Sequence, residues 1–187
     1  MSTTQGVQTA QQPHTGTWTL DAGHTNATFS ARHLGLSKVR GRFETLEGTV
    51  KVAEDPADSA VHVTIDAASI STNEPTRDGH MRSPDFLDVE NFPTLEFHST
   101  DIQGSGTEWT MTGDLTIRGV TRPVTLDVTY LGIRDNPFGP GRRAAFEASA
   151  EFDRFDFGLS WQGPTELGGI LVGKKVTIDI DMQMVNK

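Results

Sequence analysis

With 187 residues and no cysteine, the chain is the size of one domain and must hold its fold on an apolar core, without disulfides, thiolate metal sites or a cysteine nucleophile. Lys and Arg number 16 against 25 Asp and Glu, so the net charge is −9 and the basic footprint of a nucleic-acid binder is absent. No apolar run reaches the roughly 20 residues that a membrane-crossing helix needs, so no integral membrane segment is expected.

The first residues, MSTTQGVQTAQQPHTG, have neither a basic region nor an apolar stretch of the secretory kind, and their polar composition cannot bury enough surface to offset ordering entropy. They predict a disordered tail over residues 1–16, a single barrel domain over 17–187 and a cytoplasmic location. Thr17 to Leu20 opens the ordered part. Asn26 to Leu34 alternates, with Ala27, Phe29, Ala31 and His33 on one face. Val39, Gly41 and Phe43 share a face, but the next set is Leu46, Gly48, Val50 and Val52, and this change of parity predicts a bulge or bend between Phe43 and Leu46. A turn at Glu54–Asp58 leads into the half-buried strand of Val61, Val63, Ile65 and Ala67.

The alternation then stops. Through Arg77 to Val89 the spacing of Met81, Phe86, Leu87 and Val89 fits two short helical turns, with Ser83-Pro84 as the N-cap and first helical position. Leu95 and Phe97 resume the strand pattern, and Thr107 to Ile117 is the most regular strand, with Trp109, Met111, Gly113, Leu115 and Ile117 on one face. A turn at Arg118–Thr121 makes a hairpin with Val124, Leu126, Val128 and Tyr130. After the turn-rich loop Asp135–Gly141, the set Ala144, Phe146, Ala148, Ala150 and Phe152 follows, and beyond Arg154 the parity passes to Phe155 and Phe157. A Gly-bearing loop from Gly158 to Gly173 precedes the last strand, with Val176, Ile178, Ile180 and Met182. About eight strands at hairpin spacing with one helical interruption predict an all-β, eight-stranded antiparallel barrel with a short helical insert, because nothing else in the chain covers the apolar face of an open sheet.

Large inward residues (Phe29, Phe43, Phe97, Trp109, Phe146, Phe152, Phe157) alternate with alanines and glycines. A barrel of this size is either filled by its side chains or holds one small ligand. The small residues point to a cavity, the alternative being that they fit the barrel's taper. At ~0.8 kcal/mol per buried CH₂, a ten-carbon chain would gain about 8 kcal/mol of gross transfer energy. Arg77 and His80 are placed to hold a polar head at the mouth, Arg77 and Asp78 alternatively serving the backbone of an irregular loop. Catalytic and metal readings have less to stand on. HExxH, HxH and GxSxG are absent, and a metal site would have to be assembled across strands. Asp78, Asp85 and Asp88 are explained by ion pairing and capping, and Asn26-Ala27-Thr28 is a sequon by chance within a strand. His33, on the inward face, is the first suspect should the barrel be a lipid hydrolase or isomerase; a structural, stress-related barrel with a filled core is the other alternative.

A set of motifs adds a resemblance. Trp18-Thr-Leu-Asp21 with His24, Val39-Arg-Gly-Arg-Phe43, Ser69-Ile-Ser-Thr72, Arg77-Asp-Gly-His80-Met-Arg-Ser-Pro-Asp85-Phe-Leu-Asp88, Phe97-His-Ser-Thr100, Gly113 to Val124 and Arg154 to Gly158 together resemble the YceI-like, polyisoprenoid-binding family. The resemblance covers Trp18 to the C-terminus. It implies a lipocalin-like barrel with a long hydrophobic tunnel that stores or carries a polyisoprenoid or isoprenoid quinone, with no catalysis and no cofactor beyond the long-chain lipid. Members are commonly periplasmic, and the short polar tail here departs from that. Inward parity and the insert nominate Phe29, His33, Phe43, Arg77, His80, Met81, Phe86, Phe97, Trp109, Phe146, Phe152 and Phe157 as ligand-binding residues, with no catalytic or metal-ligating residue assigned. A homodimer is left open.

Overall fold

The computed structural model describes residues 13–163 and 171–186. Of the expected tail, residues 1–12 lie outside the described residues, and Gly16 already pairs with Val52. Strands β1 (Gly16–Leu20) and β2 (Asn26–His33) run end to end along the long β11 (Val172–Asn186), Leu20 standing opposite Met184 and Asn26 opposite Asp181. Between them the Asp21 carboxylate accepts from Gly23 N–H and turns the chain through a single 3₁₀ turn. Strands β3 (Ser37–Phe43) and β4 (Leu46–Val52) repeat the arrangement, β3 beside β2 and β4 beside β1. The parity change after Phe43 is thus a break between two strands and not a bulge within one. Glu44 and Thr45 leave the ladder because their N–H groups donate to Ser69 Oγ, each at 3.1 Å.

The ring continues through β5 (Ala60–Asp66), then, past the short β6 (Ile70–Ser71), through β7 (Thr94–Ser105), β8 (Glu108–Ile117), β9 (Val120–Asp135) and β10 (Arg142–Asp153) to β11, and β1 closes it by pairing with both β4 and β11. With β1–β2 and β3–β4 each taken as one bent strand, the chain is a closed eight-stranded antiparallel barrel. A closed ring leaves no long unpaired edge among its staves.

At one end the wall splits. Here β3 pairs with β6 while β5 pairs with β7, and residues 67–93 fill the gap. The one α-helix among the described residues, α1 (Pro75–Arg82), lies in this insert. Its N-cap is Glu74, which accepts from Thr76 and Arg77 N–H, with Pro75 at the first helical position. Ser83 ends this helix, its N–H donating to His80 carbonyl at 3.1 Å, and also opens the turn that follows, its Oγ accepting from Asp85 N–H at 3.3 Å and its carbonyl from Phe86 N–H at 3.0 Å, so of the two expected helical turns the second is a turn and not a helix. The same cap-then-proline grammar occurs twice in the stretch, and the upstream copy nucleates the helix because Glu74 reaches two free N–H groups.

The interior is divided along the barrel axis. At the closed end Trp18, Val50, Tyr130, Ile133, Ala144 and Met184 form a packed cluster, with Trp109, Phe146 and Met182 against it. Towards the insert a second cluster, including Ile70, Leu87, Leu95, Leu115, Ile117 and Phe157, surrounds open space. Two inward glycines serve as seats for rings and do not themselves leave a void. A Cβ on Gly41 would lie 2.4 Å from Phe29 Cζ, and one on Gly113 would lie 2.3 Å from Phe97 Cζ.

Candidate functional site

The open space is a cavity of about 380 Å³ with an almost wholly apolar lining, at the low end of the ~300–1,000 Å³ typical of ligand sites. Strands β2 and β3 contribute Ala27, Phe29, Ala31, Val39 and Phe43, the insert contributes Ile70, Met81, Phe86 and Leu87, and Val176, Ile178 and Ile180 line it from β11. Along β11 the lining stops at Ile180, and the next inward residues, Met182 and Met184, belong to the packed closed end. The space therefore occupies the half of the barrel nearer the insert.

The charged residues that border the cavity are Arg32, Arg77 and Arg154; no Asp or Glu is among its lining residues. Arg77 is held by the insert's own knot. Its Nε donates to Thr72 Oγ1 at 2.7 Å and one terminal nitrogen to Thr72 carbonyl at 3.0 Å. Buried Asp78 accepts from Thr72 N–H at 2.7 Å and Thr72 Oγ1 at 2.5 Å. Burial pushes the Asp78 carboxyl up, but those two hydrogen bonds, with the charges of Arg82 and Arg77, outweigh it and hold the group below its ordinary value. Asp78 thus serves the loop backbone, whereas Arg77 does so and borders the cavity as well.

His80 Nε2 lies 2.8 Å from Asp85 Oδ2, and the imidazole meets Phe86 and Trp161 edge-on with centroids 5.1 and 4.7 Å away. His33 lines the rim at the end of β2. Arg154 follows β10 and is almost fully buried. It donates to the carbonyls of Leu159, Trp161, Val172 and Gly173, so one guanidinium ties together the chain on either side of residues 164–170. Burial lowers its proton affinity from the ordinary arginine value. Residues 164–170 of the expected 158–173 loop lie outside the described residues.

Of the twelve nominated residues, Phe29, His33, Phe43, Arg77, His80, Met81, Phe86 and Phe152 line this cavity. The other four face inward without reaching it. Phe97 covers Gly113, Trp109 and Phe146 pack at the closed end, and Phe157 meets Phe152 edge-on at 5.1 Å within the core.

A family model described as the YceI-like domain matches residues 18–184. The chain belongs to the YceI-like family. Protein YceI of Escherichia coli O157:H7 is 42% identical over 146 residues, 78% of this chain and 74% of that protein. Among solved structures, BcnA of Burkholderia cenocepacia superposes with a TM-score of 0.75 at 20% identity, covering 88% of this chain and 98% of that one. A polyisoprenoid-binding domain from Saccharophagus degradans, implicated in plant cell wall breakdown, does so with a TM-score of 0.69 at 16% identity, covering 91% and 98%. Both likenesses speak to the fold.

In this YceI-like barrel the cavity includes residues that alternation did not nominate. Trp161 and Leu171 come from the Gly-bearing loop, where no period exists to read. Arg154 stands at the end of the inward set, just before the parity passes to Phe155 and Phe157, and its charge argues against an inward place. An arginine flanked by Asp153 and Phe155 reads as a surface residue until its four carbonyl partners are seen. A large indole within a loop was the one available signal, since such a side chain seldom stays fully solvated.

Proposed function

We propose that this YceI-like barrel binds, stores or carries a long-chain amphiphile without catalysis, enclosing part of a polyisoprenoid chain in the cavity and holding an anionic head at its mouth. One observation carries this reading: a nearly all-apolar cavity is bordered by three arginines and no carboxylate, in a chain whose net charge is −9. Against that acidic background a cationic mouth is a local choice of sign, and sign is what selects a charged head. Arg77 is the preferred contact. The knot with Thr72 and Asp78 fixes its guanidinium, and among the described residues its remaining terminal nitrogen has no protein partner. Such a pre-set donor loses little entropy on meeting a phosphate or carboxylate. The Saccharophagus domain's description as polyisoprenoid-binding is consistent with the same ligand class here. The cavity's size fits a portion of such a chain, and the apolar wall discriminates weakly by chain length, since one methylene is worth only about 1 kcal/mol.

Trp161 lines the cavity and reports on occupancy. Titration of delipidated protein with a short prenyl phosphate and with the matching prenyl alcohol, followed by tryptophan fluorescence, tests the reading. The phosphate binds more tightly, and Arg77→Met removes that preference, worth about 1.5–3 kcal/mol for a charged hydrogen bond, while leaving alcohol binding in place. Equal affinity for both in the parent protein would refute the anionic-head assignment, and no binding of either would refute the lipid reading.

A further inference from the structure

A cluster on the outer wall of β5 and β7 plays no part in the cavity. His62 and His98 are directly paired across the two strands, and their rings stack with centroids 4.1 Å apart and planes 16° from parallel. Glu96 precedes His98 by two residues, so it shares the outer face, and its Oε2 lies 3.6 Å from His98 Nε2. One ligand atom from each of His62, Glu96 and His98 lies within 4.8 Å of the other two. Both imidazoles are exposed, and Glu96 is half-buried.

We propose that His62, Glu96 and His98 form a site for a divalent transition-metal ion, with zinc the ion best suited. Two imidazoles and one carboxylate are the donor set that zinc takes with three protein ligands and a fourth position left to water. Magnesium and calcium prefer oxygen donors alone, so the histidines select against them. The sheet supplies the preorganisation. A cross-strand pair and an i, i+2 neighbour have their Cα positions fixed by the ladder, and only side-chain rotations are needed to close three donors on one ion. Asp114, opposite His98 on β8, adds a further carboxylate to the same wall and raises its attraction for a cation. Alternation alone does not reveal the site, because the three residues come from strands separated in sequence by the whole insert.

The site's place gives it a consequence. Residues 67–93 leave β5 after Asp66 and return at Thr94, which pairs with Asp66. An ion bridging His62 to His98 would clasp the two strands from which the cavity's cover springs. Metal occupancy would thereby stabilise the roots of that cover, an effect independent of which lipid the cavity takes.

The test uses tag-free full-length protein titrated calorimetrically with zinc chloride, with magnesium chloride as the comparison. The expected result is one saturable zinc per chain and no magnesium binding. His62→Ala and His98→Ala each weaken zinc by at least the roughly 10- to 100-fold that loss of even an outer-shell partner costs, whereas His24→Ala leaves it unchanged. Paramagnetic nickel added to unmodified protein broadens the ring-proton signals of His62 and His98 before those of the other histidines, a readout that does not depend on any variant folding. Absence of zinc binding, wild-type affinity in His62→Ala, or broadening that begins at another histidine would overturn the proposal.

Discussion

Gly113→Ala and Gly41→Ala add the same methyl to two inward glycines, yet the surroundings predict different outcomes. At Gly113 the new Cβ would meet Phe97 Cζ at 2.3 Å and the His98 carbonyl oxygen at 2.6 Å. The second of these is backbone in the neighbouring strand, so moving the ring alone cannot relieve the clash, and β7 and β8 must separate locally. Overpacking of that kind costs about 1–3 kcal/mol, and at about 2–4 °C per kcal/mol for a domain of this size Tm falls by roughly 2–12 °C. At Gly41 the Cβ would meet Phe29 Cζ at 2.4 Å and Thr72 Cγ2 at 2.9 Å, both side-chain atoms. Phe29 borders the cavity, so its ring has room to swing inward. Gly41→Ala therefore retains most of its stability, at a cost below about 1 kcal/mol, and surrenders cavity volume, weakening amphiphile uptake. Thermal and urea unfolding of delipidated proteins, followed by tryptophan-quenching titration, measure both quantities. Gly113→Ala as stable as the parent, or Gly41→Ala the less stable of the two with uptake intact, would refute the reading that neighbouring backbone hems in Gly113 while Gly41 faces a ring with room to move.

Asp78 has its folded-state proton affinity depressed, so its contribution is present in full above the ordinary value of 3.8 and is withdrawn as pH falls below it. Asp78→Asn therefore lowers stability at neutral pH and makes the acid limb of a urea-midpoint profile shallower than the parent's; an unchanged limb would contradict the knot's role. Arg154→Met leaves the carbonyls of Leu159, Trp161, Val172 and Gly173 without their donor. With each unsatisfied buried acceptor costing about 1–3 kcal/mol and water restoring some, a loss of at least about 2 kcal/mol is expected, together with faster exchange of bound amphiphile. Stability and exchange rates equal to the parent's would show that the guanidinium does not pin the loop.

The fold was readable where burial has a period. Val61, Val63 and Ile65 in β5, and Trp109 to Ile117 in β8, alternate because one face of each packs inward and the other meets solvent. Of the two expected helical turns only one became a helix, and it starts upstream, since Glu74-Pro75 and Ser83-Pro84 offer similar local signals but the Glu74 carboxylate caps two N–H groups where Ser83 Oγ caps one. Alternation says that a side chain faces in, not at what height it sits. Phe29 and Phe152 border the cavity while Trp109 and Phe146, with the same parity, fill the closed end. Small residues divide in the same way: Ala27 and Ala31 line the cavity, whereas Gly41 and Gly113 each hold an aromatic ring. Arg154 and the His62–His98 pair were out of reach for another reason: their partners come from residues distant in the chain that only the strand register brings together.

The central claim is that the half-barrel nearer the insert encloses a long-chain amphiphile. Native mass spectrometry of freshly purified protein, with organic extraction of the same sample, tests it most directly. The expected spectrum contains the chain carrying one added mass, and the extract yields a single class of prenyl-type amphiphile with an anionic head. A bare chain that also fails to take up any such lipid from vesicles would contradict it.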